Sequence, residues 1–408
     1  MKKYIRSERA NLFEPNVYIS MVVKLSGNIS ENDIQCAVKE AYKANEATMS
    51  KIVLEDSGDA YYEKMDNSGC KFSSETKPWQ ELLKLSEKRP FALCDGELVR
   101  TFLTEEDGQR ILFIHAHHLA GDGKSILVLL KDIVDCLAGR QLVYKPMTSV
   151  DRNFLEKKAK LMWGIKLAVK RINRKWKKAG RSFSWDDYYA VHNKYWAEHT
   201  SEIELQTYDV KKLKAQCENG VTLNSYMIGA MLRNHPEWKV VGIPVSIREE
   251  NGGMSNQTSG IAIKYRYNQR LTFEENVVKL HKVIYRKIAN ENMKYFVLLY
   301  MERLCPSLID GVLLQTHGCY ENKLAETMAR TMGYIGNGGR DFGVTNLNQI
   351  EIPDDTMNFN IESIIFVPPK VSYTKHVMGI STYHDVLTVS YSGIRREDMH
   401  SNHGGKKQ

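Results

Sequence analysis

The sequence predicts an α/β protein, in two-layer α+β form, made of two halves of similar size: residues 1–150 and 201–408, joined by a basic helical connector over 151–200. Three observations predict it. Through the first 150 residues, stretches with a two-residue apolar period alternate with stretches of three-and-four period. The same alternation returns in the second half. Between them lies a run of charge: residues 151–181 hold twelve Lys or Arg against two acids, Asp151 and Glu156, in a chain whose net charge is only +8. The rest of the chain is therefore about neutral. With 408 residues and 42% hydrophobic content, the length suits one large domain or two ordinary ones.

In chain order, "NVYISMVVKLSG" reads as a strand ending at Gly27. Ser30 is placed to N-cap the helix "ENDIQCAVKEAYKA", with Asp33 as the second member of a short capping box. Ile34, Ala37, Val38 and Ala41 give that helix its apolar face. Short strands follow at "KIVLE" and "AYYEKM". "ELVRTFLTEEDGQRILFIHAHH" reads as a hairpin turning at Glu106-Asp107-Gly108. After Gly123 the period lengthens, and Ile126, Leu130, Ile133 and Leu137 line one side of a helix. "FLEKKAKLMWGIKLAVKRINRKWKKAGRS" reads as one amphipathic helix with a basic face. The second half offers helices at "TLNSYMIGAMLRN" and "TFEENVVKLHKVIYRKIAN". Its strands are expected at "KVVGIPVSI", "SGIAIKYRY", "FGVTNL", "ESIIFVPP", "HVMGISTYH" and "VLTVSYS". Residues 250–258 and 300–340 read as loops that shape a pocket, and the tail "SNHGGKKQ" as loose.

No run of 18 apolar residues exists, so no transmembrane helix is expected. The start "MKKYIRSERANLF" lacks the apolar core of a secretory signal. Seven cysteines, an odd number with no CxxC pair, argue against a disulfide framework and for a cytoplasmic location.

Titratable chemistry concentrates in "ILFIHAHHLAGDGKSILVLL", residues 111–130. A phosphate-binding loop of the GxxxxGKS type would need glycine where His118 stands, so that reading fails. A metal site, and with it a metal-dependent hydrolase, is the second reading: His115 and His117 share one face of a strand. The HxHxDH pattern of such hydrolases would continue with Asp and His, where this chain has Leu119 and Ala120, and no third ligand is apparent. The third reading is His-His-x-x-x-Asp-Gly, which His117, His118, Asp122 and Gly123 match in full. Strand alternation sets His118 on the opposite face from His115 and His117, where the strand ends. A histidine titrating near neutrality suits removal of a proton from an attacking hydroxyl or amine.

That motif, between a strand and a helix in a chain of two similar halves, resembles the superfamily that includes chloramphenicol acetyltransferase, condensation domains of nonribosomal peptide synthetases and alcohol acyltransferases. "PFALCDGELVRTFL", "VVGIPVSIREE", "FGVTNLNQIEIP" and "GISTYHDVLTVSYSG" resemble further family segments, so the likeness covers residues 15–395. The resemblance implies two chloramphenicol acetyltransferase-like lobes with an active-site tunnel between them. It implies an acyltransferase moving an acyl group from a thioester, acyl-CoA or the phosphopantetheine of an acyl-carrier protein, to a hydroxyl or amine. No cofactor is bound permanently in such enzymes. His118 would be the general base, with His117 supporting the loop. Asp122 would be structural and paired with an arginine, for which Arg248 is the candidate. Gly123 would remove a Cβ at the sharp turn into the helix and leave room for substrate. Thr345 and Asn346 stand where relatives carry an oxyanion donor. A chain of this length in the two-lobed branch is expected to be a monomer. The competing expectation from a different class is a non-catalytic docking protein that keeps the fold alone.

The connector has its own candidate partners. Residues 152–181 carry Trp163 and Trp176 among the cations. They would suit an anionic membrane surface, and with it a lipid-like acceptor, or an acidic carrier protein, or the phosphates of coenzyme A. Nucleic acid is not expected, since no recognition fold accompanies the charge.

Overall fold

The computed structural model of the chain describes residues 2–217, 220–248, 252–352 and 358–393. The tail 401–408 lies outside these, as do Glu249 and Glu250 of "VVGIPVSIREE", Pro353 of "FGVTNLNQIEIP" and positions 250–251 of the first expected loop.

The first half contains strands β1 (Lys3–Tyr4), β2 (Tyr18–Gly27), β3 (Ser50–Leu54), β4 (Ala60–Lys64), β5 (Lys71–Ser74), β6 (Val99–Glu106) and β7 (Gln109–His117). The second contains β8 (Ile203–Asp209), β9 (Val240–Ser246), β10 (Thr258–Lys264), β11 (Arg340–Ile350), β12 (Phe359–Val367), β13 (Thr374–Tyr383) and β14 (Val386–Ser392). They form three sheets among the described residues: β1-β4-β3, β12-β2-β7-β6-β5, and β10-β9-β11-β13-β14-β8. β12, although in the second half of the sequence, pairs antiparallel along β2, Phe359 opposite Gly27 through Val367 opposite Ser20. The five-stranded sheet is therefore completed by the last third of the chain.

Local chemistry explains most elements. Ser30 caps Glu31–Ala44 with the expected reciprocal box to Asp33. Thr272 and Glu275 do the same for Phe273–Ile288. The β6–β7 hairpin turns at Asp107 and Gly108, both at positive φ (52° and 73°), the geometry of a tight two-residue connection. β7 lies between β2 and β6 and is buried from Ile111 to His117 on both faces. That accounts for its nearly continuous apolar run.

Two expectations are corrected. The connector is not one long helix: Arg152–Lys158 and Trp163–Ala179 are separate, and Trp185–Glu198 follows. At the break, Ala159 is extended (φ −141°, ψ 159°), and Leu155, Ala159 and Leu161 turn inward against Ile247, Tyr295 and Leu299. Asn292 Oδ1 accepts from the Lys160 backbone N–H at 2.6 Å. Burying that corner offsets the lost helical hydrogen bonds. Residues 300–340 are also not loops. Glu291–Arg303, Pro306–Thr316 and Lys323–Met332 are helical. Pro306–Thr316 is buried from Pro306 through Leu314, so it shows no amphipathic period to read. It is tied to the first half by a buried ion pair, Arg9 Nη2 to Asp310 Oδ2 at 2.6 Å. No helix among the described residues is long and apolar enough to cross a membrane.

Candidate active site around His118

The histidine stretch lies where a central strand gives way to a helix. β7 ends at His117, a single turn spans His118–Ala120, and Asp122 N-caps the helix Gly123–Leu137. The tight geometry falls on Gly121 at φ 142°, where a Cβ would also meet the Ser125 side chain at 2.4 Å. Gly123 serves another purpose. A Cβ there would lie 2.9 Å from Leu347 Cδ2 and 3.1 Å from the Phe366 ring, so its absence lets β11 and β12 press on the helix start. The sharp turn expected at Gly123 belongs to Gly121.

The three histidines have different surroundings. His115 is fully buried against Tyr18, Phe91 and Phe113, and its Nδ1 lies 2.9 Å from Ser20 Oγ. His117 is buried too, and its Nδ1 accepts from the Leu119 backbone N–H at 3.2 Å. Burial holds both imidazoles well below the usual histidine range, hence neutral. His118 alone of the three keeps some accessible surface.

His118 is held by a residue the sequence did not single out. Its Nδ1 is 2.7 Å from Asn256 Oδ1, while Asn256 Nδ2 donates to the His118 carbonyl at 2.6 Å. The same Nδ2 donates to Glu8 Oε2. Two acceptors around the nitrogen fix the amide's orientation, so its oxygen faces the imidazole and takes the proton of Nδ1. Nε2 is left with its lone pair. Asn11 Nδ2 stands 3.5 Å from the same Nδ1, too far to compete. Tyr62 OH completes the cluster, donating to Leu119 O at 2.8 Å and lying 3.1 Å from Glu8 Oε1. Burial lowers the His118 pKa, while the nearby Asp122 charge and Asn256 oppose that shift. Burial pushes Glu8 the other way, up to about 7. Asn256 belongs to the 250–258 segment read as pocket-shaping. Glu8 and Asn11 offered no signal, because Asn256 and His118, the partners that bring them to the site, are over a hundred residues away.

Asp122 and Arg248 come together. Arg248 Nη2 donates to Asp122 Oδ1 at 2.8 Å, and to Ser125 Oγ and Ser255 O at 2.7 and 2.9 Å. Nη1 reaches Gly253 O at 2.7 Å. Asp122 also accepts from the backbone N–H of Ser125 and Gln257 and from Thr258 Oγ1. Burial alone would raise this carboxyl. The Arg248 guanidinium and the hydrogen bonds outweigh it and hold the pKa below the usual value. The pair thus staples the motif turn to the 252–258 segment of the second half, with the Asp122 carboxylate bonded to Arg248.

Thr345 and Asn346 sit on β11 two residues and one residue before Leu347, the residue against Gly123. Asn346 Oδ1 accepts from the Asn348 N–H at 2.7 Å at the register shift of β11, so its amide oxygen supports a bulge. Thr345 is half-buried opposite Gly379.

A cavity of about 580 Å³ adjoins this cluster through Glu8, Tyr62 and Asn256. Ser255 lines it beside them, and Lys2, Lys3, Arg6, Arg152, Asp151 and Glu302 stand among its other lining residues. Among the described residues no group of three His, Cys, Asp or Glu side chains converges as a metal site would require.

No family model matches the chain. It is 22% identical over 366 residues to bacitracin synthase 2 of Bacillus licheniformis, a match covering 85% of this chain. The chain spans 13% of the length of that protein and 2% of bacitracin synthase 3, also of Bacillus licheniformis, with which it shares 28% identity over 147 residues. Among solved structures, the first condensation domain of the CDA synthetase superposes with TM-score 0.63 at 12% identity, covering 98% of this chain and 93% of that one. A double mutant of the starter condensation domain of rhizomide synthetase RzmA, in complex with C8-CoA and Leu-SNAC, superposes with TM-score 0.62 at 10% identity, covering 98% and 91%. The chain therefore has the two-lobed α/β fold of condensation domains.

Proposed function

We propose that this protein transfers an acyl group from a thioester donor to a hydroxyl or amine acceptor, with His118 as general base. The observation that carries the reading is the held imidazole: Nδ1 engaged by Asn256 at 2.7 Å, Nε2 free to accept a proton. Burial lowers the pKa, so His118 is neutral and ready at pH 7.

The reaction balances on that one nitrogen. Nε2 takes the acceptor's O–H or N–H proton as the heteroatom attacks the thioester carbonyl carbon. The tetrahedral intermediate collapses, the C–S bond breaks, and the leaving thiolate receives the proton back from His118. No covalent enzyme intermediate is needed. His117 accepts the Leu119 N–H and braces the turn. Asp122 and Arg248 position the turn rather than touch substrate. Thr345 is the proposed donor to the oxyanion, with Asn346 supporting the strand beside it. Gly123 admits the close packing of Leu347.

The donor is proposed to be acyl-CoA or a carrier-borne phosphopantetheine thioester. The C8-CoA complex of the RzmA domain supports that class. The tunnel expected between the lobes would continue the cavity that Asn256 lines past His118. The test is thiol release from acyl-CoA donors of graded length, and from acyl-loaded carrier protein, with mixed alcohols and amines. Release that requires an acceptor and disappears in His118→Ala supports the proposal. Release that survives that variant refutes the role of His118. Absence of release with every donor would favour the docking protein.

A further inference from the structure

The basic helix Trp163–Ala179 carries more positive charge than the proposed reaction uses, and the charge is arranged. Val169, Trp176 and the half-buried Ile165 face inward. Trp163, Lys166, Lys170, Arg174 and Lys177 follow one another at three- and four-residue spacing, so they form one exposed stripe beside that buried face. The stripe runs about 21 Å along the helix. It borders a trough of about 740 Å³ whose other lining residues include Arg152, Arg303, Lys178 and the apolar Leu161 and Val169. Arg303 pairs with Glu156. Lys166, Lys170, Arg174, Lys177 and Lys178 have no carboxylate partner among the described residues.

The apolar end of the stripe is the second observation. Trp163 is 78% exposed and Met162, just before it, 70% exposed, the two most exposed large apolar side chains of the connector. The adjoining helix Glu291–Arg303, tied to the corner through Asn292 and Lys160, exposes Met293 and Val297 one turn apart. A solvated basic face needs none of these. An indole presented beside unpaired lysines matches the interface of an anionic bilayer, where the ring sits at headgroup level and the cations meet lipid phosphates.

We propose that this face docks the protein on an anionic lipid surface, with the stripe Lys166–Lys170–Arg174–Lys177 held to the headgroups and Met162–Trp163 inserted as the apolar wedge. Arg152 lines both the trough and the cavity that Asn256 also lines. Docking on this face would therefore bring that cavity close to the lipid headgroups. The inference concerns where the protein works and stands independently of the acyl transfer proposed above.

The test is flotation of the whole chain with vesicles of phosphatidylcholine alone and of phosphatidylcholine mixed with phosphatidylglycerol. The expected result is binding to the mixed vesicles only, weakened by salt. Lys170→Glu with Arg174→Glu is expected to lower it by more than about tenfold. Trp163→Ser is expected to weaken binding while leaving its dependence on salt. All three side chains are exposed, and an unchanged melting temperature checks that the variants fold. Equal binding to both vesicle types, or mixed-vesicle binding that ignores these substitutions, overturns the proposal. So does failure to bind either vesicle, and capture of an acidic carrier protein through the same residues would then identify the stripe as a protein-docking face.

Discussion

Asn256 grips His118 from both sides of the residue, its Oδ1 2.7 Å from the imidazole Nδ1 and its Nδ2 2.6 Å from the backbone carbonyl. The base and its orienting amide are 138 residues apart in sequence and come from the two halves of the chain. The tautomer of the proposed base is therefore a property of the assembled lobes.

Replacing His118 by Ala is expected to lower acceptor-dependent thiol release by roughly 10²- to 10⁴-fold, the contribution of a general base. Asn256→Ala is expected to act through His118 rather than on substrate directly. It removes a hydrogen bond that raises the imidazole pKa. The rate plateau should fall, and the acid limb of the kcat/KM profile should move to lower pH. A structural role alone would lower the plateau without moving the limb.

Breaking the Asp122–Arg248 pair should cost stability. Both side chains are nearly buried, with 4% and 11% exposure. Arg248→Met leaves a buried carboxylate without its main partner, at a cost of about 3–5 kcal/mol in chemical denaturation. The Asp122 carboxyl is held below its ordinary value of 3.8. Its stabilisation is thus present above pH 3.8 and lost as pH falls through the lower folded-state value. Arg248→Met should flatten the acid limb of the stability curve, and an unchanged limb would contradict the pairing.

Glu8 carries the opposite sign. Its folded-state pKa lies near 7, above the ordinary 4.5, because burial disfavours the charged carboxylate. The folded state keeps a proton that the unfolded chain gives up, so stability is lost as pH rises from 4.5 through about 7. Glu8→Gln should therefore gain melting temperature relative to wild type at pH 8, and little at pH 5. Tyr62 OH, which donates to Leu119 O, can accept from the new amide.

Gly123→Ala tests the close approach at the helix start. The new Cβ would stand 2.9 Å from Leu347 Cδ2 and 3.1 Å from the Phe366 ring. A loss of about 1–3 kcal/mol is expected, from overpacking rather than backbone strain. Restoration of much of it by Leu347→Ala in the same chain would identify the contact.

Sequence alone determined the elements whose information is local. The Ser30–Asp33 box, the Asp107-Gly108 turn and the period change after Gly123 are written within a few residues, and each element formed where it was read. His117, His118, Asp122 and Gly123 were legible for the same reason. The break in the connector was not, because the apolar corner Leu155–Leu161 is set by partners on the 291–303 helix. The fully buried helix Pro306–Thr316 was hidden because it has no polar face to mark a period. Tertiary structure decided the rest of the site. It brought Asn256 and Glu8 to His118, closed Arg248 on Asp122, and carried β12 back to the five-stranded sheet of the first half. Those pairings join groups separated by over a hundred residues, and only burial in one folded core makes such contacts worth their desolvation.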